Sequence, residues 1–153
     1  MYPSVAVVDE VVPGSAPTWH DGSGAVSIHP TSMLSDISGG ALHWPFVVYS
    51  EKMKTSKVFL RDVSIASPLA IMLFAREVTV EHRSSLVLID GWIKLKVTGR
   101  CSAMLMAVRE KLDELLRSQV VGAGGEISND GPRTLELVAS LLREEGKLSS
   151  AFK

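Results

Sequence analysis

The chain has a single cysteine, Cys101, among its 153 residues, so it forms no internal disulfide. No N-terminal stretch joins positive charge to an apolar segment of roughly seven to fifteen residues, which argues against secretion and for a reducing, intracellular setting, cytoplasmic or nuclear. The longest apolar runs, at 6–8, 46–49 and 69–75, fall far short of a bilayer-crossing helix. A soluble chain with no membrane partner is expected. The phosphate-binding pattern G-x-x-x-x-G-K-[ST] is absent, and GAGG at 122–125 has Ile127 where a dinucleotide loop needs its third glycine, so that stretch reads as a linker. His20, His29, His43 and His82 each lack the close Cys or His companion of a zinc set, and no metal is expected. No serine stands in a nucleophile elbow. The formal net charge of −1 excludes gripping a polyanion by bulk electrostatics; any such contact must be local.

What remains is ample for a globular core, since 46% of residues are hydrophobic and 22% charged. A β-branched run at 4–8 predicts a strand. Pro13, Gly14, Pro17, Gly22 and Gly24 then mark 9–24 as a long loop before a second strand at 25–29, closed by Pro30. Residues 35–40 read as another loop ahead of the apolar segment 44–49. Residues 46–65 are too rich in Val, Phe, Tyr and Thr for a helix. Ser67 and Pro68 carry a helix-start signal for 69–75, Ser67 as cap and Pro68 at the first helical position. Strands follow at 78–80, 86–89 and 92–97, the last two joined by Asp90-Gly91, a two-residue hairpin signal.

Cys101, Met104, Leu105, Val108, Leu112, Leu115 and Leu116 recur at three and four, predicting an amphipathic helix over 102–119 with Cys101 in its core face. Arg109, Glu110, Lys111, Asp113 and Glu114 fall on the opposite face. After a break at 122–131, Asn129 or Asp130 ahead of Pro132 starts a second helix striped by Leu135, Val138, Leu141 and Leu142.

The plainest cationic excess is Lys52, Lys54, Lys57 and Arg61, offset nearby only by Glu51. Lys52 and Lys54 are at even positions, Lys57 and Arg61 at odd ones. A turn or bulge near Thr55-Ser56 is expected to bring both pairs onto one surface; without it they face opposite sides. Trp44, Phe46 and Tyr49 have the π-faces to stack nucleobases, but their apolar setting favours burial.

Three stretches, VSIHPTS at 26–32, WPFVVYSEKMKTSKVFLRDVS at 44–64 and LVLIDGWIKL at 86–95, resemble in order and spacing the C-terminal oligonucleotide-binding (OB) fold of DEAH-box RNA helicases. The segment 67–74 ahead of the Asp-Gly-Trp-Ile hairpin is more similar to the RNA helicase A branch than to the splicing branch. The resemblance runs from residue 2 to about 119. It implies a mainly β chain with α: a small OB-type antiparallel barrel over 1–98 with a plugging helix, and a C-terminal helical extension over 99–153, one structural domain overall. It also implies single-stranded RNA and the remaining helicase domains as partners, with a motor elsewhere supplying ATP and magnesium chemistry. No cofactor and no catalysis are expected of this chain alone, which also lacks an Asp-Glu-x-His box.

The family's His-Pro-x-Ser and Glu-Lys-x-x-Thr-Ser elements fall on His29, Pro30 and Ser32, and on Glu51, Lys52, Thr55, Ser56 and Lys57. With Lys54 and Arg61, the expected RNA-binding set is His29, Ser32, Lys52, Lys54, Thr55, Ser56, Lys57 and Arg61. Lysines neutralise phosphates, hydroxyls donate to them, and His29 stacks or hydrogen-bonds at a loop mouth. Pro30 shapes the turn, and Glu51 is expected to hold a neighbouring lysine or a partner domain. Family members enter this domain from a preceding helical one through a segment similar to Tyr2-Pro3. The rival expectation is an interaction module that docks on the helicase core or a regulatory protein without touching RNA.

Overall fold

The computed structural model describes residues 3–10, 16–35, 42–81, 83–121 and 131–151. The chain falls into two compact units, Met1–Ile71 and Met72–Lys153.

In the first unit, β1 (Ser4–Glu10), β2 (Thr18–His20), β3 (Ala25–Ile28), β4 (Phe46–Tyr49), β5 (Glu51–Lys54), β6 (Val58–Arg61) and β7 (Ser64–Ala66) form one sheet in the order β5-β6-β3-β2-β1-β4-β7. All pairings are antiparallel except β3 with β6. The ladder has two ends, β5 and β7, so the OB-type sheet is open. Ala6, Trp19, Val26, Val47 and Leu60 each come from a different strand and, with Val63, meet in one buried cluster. Strands β2, β3 and β6 each bury a single side chain, whereas β1 buries the neighbours Val5 and Ala6 and β4 the neighbours Phe46 and Val47, so these two strands are covered on both faces. Strand β2 lies inside the stretch read as a continuous loop. Trp19, 1% exposed, is its anchor, and a three-residue strand is too short to show alternation.

The Ser67 signal is realised: its hydroxyl accepts from the Ala70 N–H at 3.2 Å, and Pro68 opens α1 (Pro68–Phe74). In the second unit, β8 (Val78–Glu81), β9 (Leu86–Ile89) and β10 (Ile93–Lys96) form an antiparallel sheet of their own, followed by α2 (Gly99–Val121) and α3 (Gly131–Ala151), which pack on each other. The compact units divide at 71/72, where the expectation was a barrel over 1–98 and an extension over 99–153. Within the second unit β8–β10 hydrogen-bond among themselves, and side-chain bonds from α2 reach back to residues 72–76.

Those bonds come from Arg109. Its guanidinium donates to the Met72 carbonyl at 2.9 Å, to Leu73 at 3.3 Å and to Arg76 at 3.2 Å, and also to Ala75. These are carbonyls at the end of α1, where a helix runs out of its own donors. Arg109 is 8% exposed, not on the outer face as expected. Ser102 and Leu112 are buried beside it in the helical repeat, whereas Cys101 is exposed and Met104 is 63% exposed. The buried face of α2 is thus rotated from the hydropathy stripe, because backbone carbonyls satisfy two polar side chains on it. On α3, Val138 is buried as expected but Leu135 is 54% exposed. The caps at Asn129 and Asp130, residues 36–40 and 122–130 of the expected breaks, and His82 lie outside the described residues.

Candidate nucleic-acid interface

β6 is bonded on one side to β5 and on the other to β3, and this position organises the expected site. Because β3 and β6 run parallel, with Ser27 opposite Phe59 and Ile28 opposite Leu60, their ends emerge together. The His29 N–H continues the pairing to the Leu60 carbonyl at 3.0 Å. His29, Ser32 and Arg61 consequently share a cleft of about 320 Å³ with Thr31, Asp62 and Ser64. The His29 ring sits edge-on to Phe59, with centroids 5.6 Å apart. Its Nδ1 accepts the Thr31 N–H at 3.2 Å and lies 2.7 Å from the Thr31 hydroxyl, so the proton of the neutral ring is on Nε2, the nitrogen free to meet a ligand.

The remaining expected residues lie along the β5–β6 hairpin. Glu51 pairs with Arg61, Lys52 with Leu60, Met53 with Phe59 and Lys54 with Val58, so each pair joins residues of equal parity. Directly opposite residues share a face. The turn at 55–57 contains three residues, an odd number, and therefore preserves parity where an even loop would have switched it. Lys52 and Lys54 lie on the Leu60 face and Arg61 on the other. The expected single cationic surface is corrected: the cations divide between a hairpin tip, a cleft, and Lys52.

At the tip, Lys54, Thr55, Ser56 and Lys57 are exposed, and neither ammonium group makes a hydrogen bond or ion pair with the described residues. Thr55 is committed to the turn, donating its N–H to the Lys57 carbonyl at 2.8 Å and its hydroxyl to the same atom at 3.3 Å. Arg61 lies 3.6 Å from Glu51, both well exposed. Glu51 was expected to hold a neighbouring lysine or a partner domain; its ion-pair partner here is Arg61, and such exposed pairs are worth at most about 1 kcal/mol.

Lys52 is different. Its ammonium bonds Asp21 Oδ2, and donates to Ser23 Oγ at 2.8 Å. The Asp21 side chain is only 2% exposed. Its Oδ1 accepts from the Ser23 hydroxyl at 2.8 Å, the Ser23 N–H at 3.1 Å and the Gly24 N–H at 3.2 Å, and Tyr49 donates to Oδ2 at 3.3 Å. Burial raises the Tyr49 pKa, and the Asp21 charge raises it further, so its hydroxyl remains a donor. Asp21, Ser23 and Tyr49 were not among the expected site residues. The signal was the Asp21-Gly22-Ser23-Gly24 run, in which an Asp side chain folds back on backbone two and three residues on. Tyr49 is half-buried, Phe46 is buried, and Trp44 is half-buried against His43 with ring centroids 5.4 Å apart. Among the described residues no group of His, Cys, Asp and Glu could hold a metal ion, and no helix is long and apolar enough to cross a membrane.

An open, OB-type sheet with cationic loops at its rim defines the class. The family described as "Oligonucleotide/oligosaccharide-binding (OB)-fold" matches residues 1–78, and the chain belongs to it. Its similarity to RNA helicases extends further. It is 34% identical over 132 residues to the chloroplastic DExH-box ATP-dependent RNA helicase DExH4 of Arabidopsis thaliana, covering 84% of this chain and 9% of that protein. It is 26% identical over 122 residues to the ATP-dependent RNA helicase DHX29 of Homo sapiens, covering 80% and 8%. The ATP-dependent DNA/RNA helicase DHX36 of Homo sapiens is 25% identical over 99 residues, covering 63% and 10%. The chain thus spans about a tenth of the length of these relatives. It corresponds to an OB-fold domain of DExH/DEAH-box RNA helicases.

Proposed function

We propose that the chain is an accessory RNA-binding domain of an ATP-dependent RNA helicase, holding the backbone of single-stranded RNA near the motor's channel. The observation that carries this reading is the pair of exposed ammonium groups, Lys54 and Lys57, unengaged among the described residues and flanking the exposed Ser56 hydroxyl at a hairpin tip. Ammonium groups neutralise phosphates and a hydroxyl donates to them without regard to sequence. Thr55 shapes the tip. Arg61, His29 and Ser32 form a second contact point four residues along β6, roughly 13 Å away at the usual strand rise. ATP, magnesium and force generation belong to the rest of the parent protein, and this chain performs no catalysis.

Salt dependence tests the reading on the full chain with a labelled oligouridine RNA. Two phosphates neutralised by Lys54 and Lys57 give a log-log slope of about −1.4, and Arg61 brings it to about −2. Lys54→Ala with Lys57→Ala is expected to weaken binding roughly twentyfold at 0.1 M salt and flatten the slope. No binding at low salt, or an unchanged double variant, overturns it. The rival reading, a module that docks on protein, draws on Met104, Leu116 and Val120 of α2 and Leu137 of α3, all exposed apolar side chains.

A further inference from the structure

We propose that Asp21 is an internal competitor of the RNA backbone for Lys52, and that it lowers RNA affinity by keeping this cation out of the contact. The inference rests on the reading of the β5–β6 hairpin as an RNA-contacting surface. Lys52 and Lys54 lie on the same face of β5, two residues and so roughly 7 Å apart along the strand. A backbone held by Lys54 passes within reach of Lys52. By position alone, Lys52 belongs to the contact.

Its ammonium is nevertheless committed elsewhere. Arg61 and Glu51 sit 3.6 Å apart with side chains 45% and 58% exposed, so water and salt screen their attraction and a phosphate displaces Glu51 readily. Asp21 is 2% exposed while Lys52 keeps 38% of its surface open. The carboxylate is out of the solvent, fixed by Ser23, Gly24 and Tyr49 in the geometry that receives Lys52, and Ser23 Oγ supplies Lys52 with a second acceptor at 2.8 Å. A phosphate on an exposed strand is screened by water more than the sheltered carboxylate is. Moving Lys52 to RNA also leaves the Asp21 carboxylate without its counter-ion. Asp21 therefore wins the competition, and the chain presents one cation fewer than its sequence suggests.

Asp21→Asn removes the charge and keeps an oxygen to accept the Ser23 and Gly24 N–H groups, releasing Lys52. The full chain is titrated with labelled oligouridine RNA across salt concentrations, with wild type compared to Asp21→Asn, Lys52→Gln and the double variant. One additional phosphate contact steepens the slope by about 0.7 and tightens binding roughly fivefold at 0.1 M salt. Asp21→Asn is expected to show both changes, the double variant to lose them, and Lys52→Gln alone to stay within about twofold of wild type. An Asp21→Asn protein that unfolds at a measurable midpoint yet binds no tighter overturns the proposal. If that variant does not fold, Lys52→Gln decides: unchanged binding supports the competition, and a loss as large as that of Lys54→Ala overturns it. A wild-type chain that does not bind RNA at low salt removes the RNA reading and this inference together. Loss of binding in Lys54→Ala/Lys57→Ala without a gain in Asp21→Asn keeps the former and sinks the latter.

Discussion

Burial pushes the Asp21 carboxyl upward, yet hydrogen bonds from Lys52 and from the Ser23 hydroxyl and N–H, joined by the Lys52 charge, outweigh it and bring the pKa to about 2 from an ordinary 3.8. The folded-state value lies below the unfolded one. The resulting stabilisation is therefore complete above the unfolded value, near pH 4, and is lost as pH falls toward 2. With Lys52 38% exposed, water screens part of this, and its size is about 1–2 kcal/mol. Urea unfolding of wild type and Asp21→Asn is expected to show a stability difference that shrinks by about this amount between pH 4 and pH 2. A difference independent of pH across that window means that Asp21 does not carry the charge in the folded state. The sequence hides this residue because its main partner is 31 positions away, and no local spacing links a loop aspartate to a strand lysine.

Elements were legible wherever the physics is local. The cap at Ser67 and the Asp90-Gly91 turn need only a few consecutive residues, and both formed. Asp90 and Gly91 have φ of 49° and 77°, the signs of the mirror-image hairpin turn, and Trp92 joins the loop because Ile93 pairs with Ile89. His29, Ser32 and Arg61, spread from 29 to 61 in sequence, meet in one cleft. The hairpin parity was not legible, since it depends on whether the turn holds an odd or even number of residues. The buried face of α2 was not legible either: Ser102, donating to the Gly99 carbonyl at 2.9 Å, and Arg109 are polar residues whose acceptors are backbone atoms. Hydropathy alone assigns such residues outward. Gly91 supplies a prediction at this scale. No atom lies within 4 Å of an added Cβ, so Gly91→Ala acts through its positive φ alone and should cost about 1 kcal/mol by denaturant midpoint. Gly24→Ala, with equally open surroundings and no positive φ, should be neutral or slightly stabilising. Equal costs at the two sites would discard the argument from φ.

Across the whole molecule, each compact unit has its own means of cohesion. The first is held by the buried cluster in which Leu60 has no exposed surface. The second has Val87, Ile89 and Ile93 buried along its sheet and Arg109 tying α2 to the carbonyls at 72, 73, 75 and 76. Truncating a fully buried leucine costs roughly 2–5 kcal/mol. Removing the guanidinium leaves several buried carbonyls without donors, at roughly 1–3 kcal/mol each for any that water does not reach. If the units open as separate cooperative blocks, each loss stays in its own block. Leu60→Ala should then speed amide hydrogen exchange in β1–β6 and spare β8–β10, while Arg109→Met does the reverse. Arg109→Lys should behave like Arg109→Met, since a single ammonium cannot span four carbonyls as a guanidinium fork does. Exchange resolved by peptide at equal denaturant reads both variants. Uniform acceleration throughout the chain in either one means that the two units fold as one.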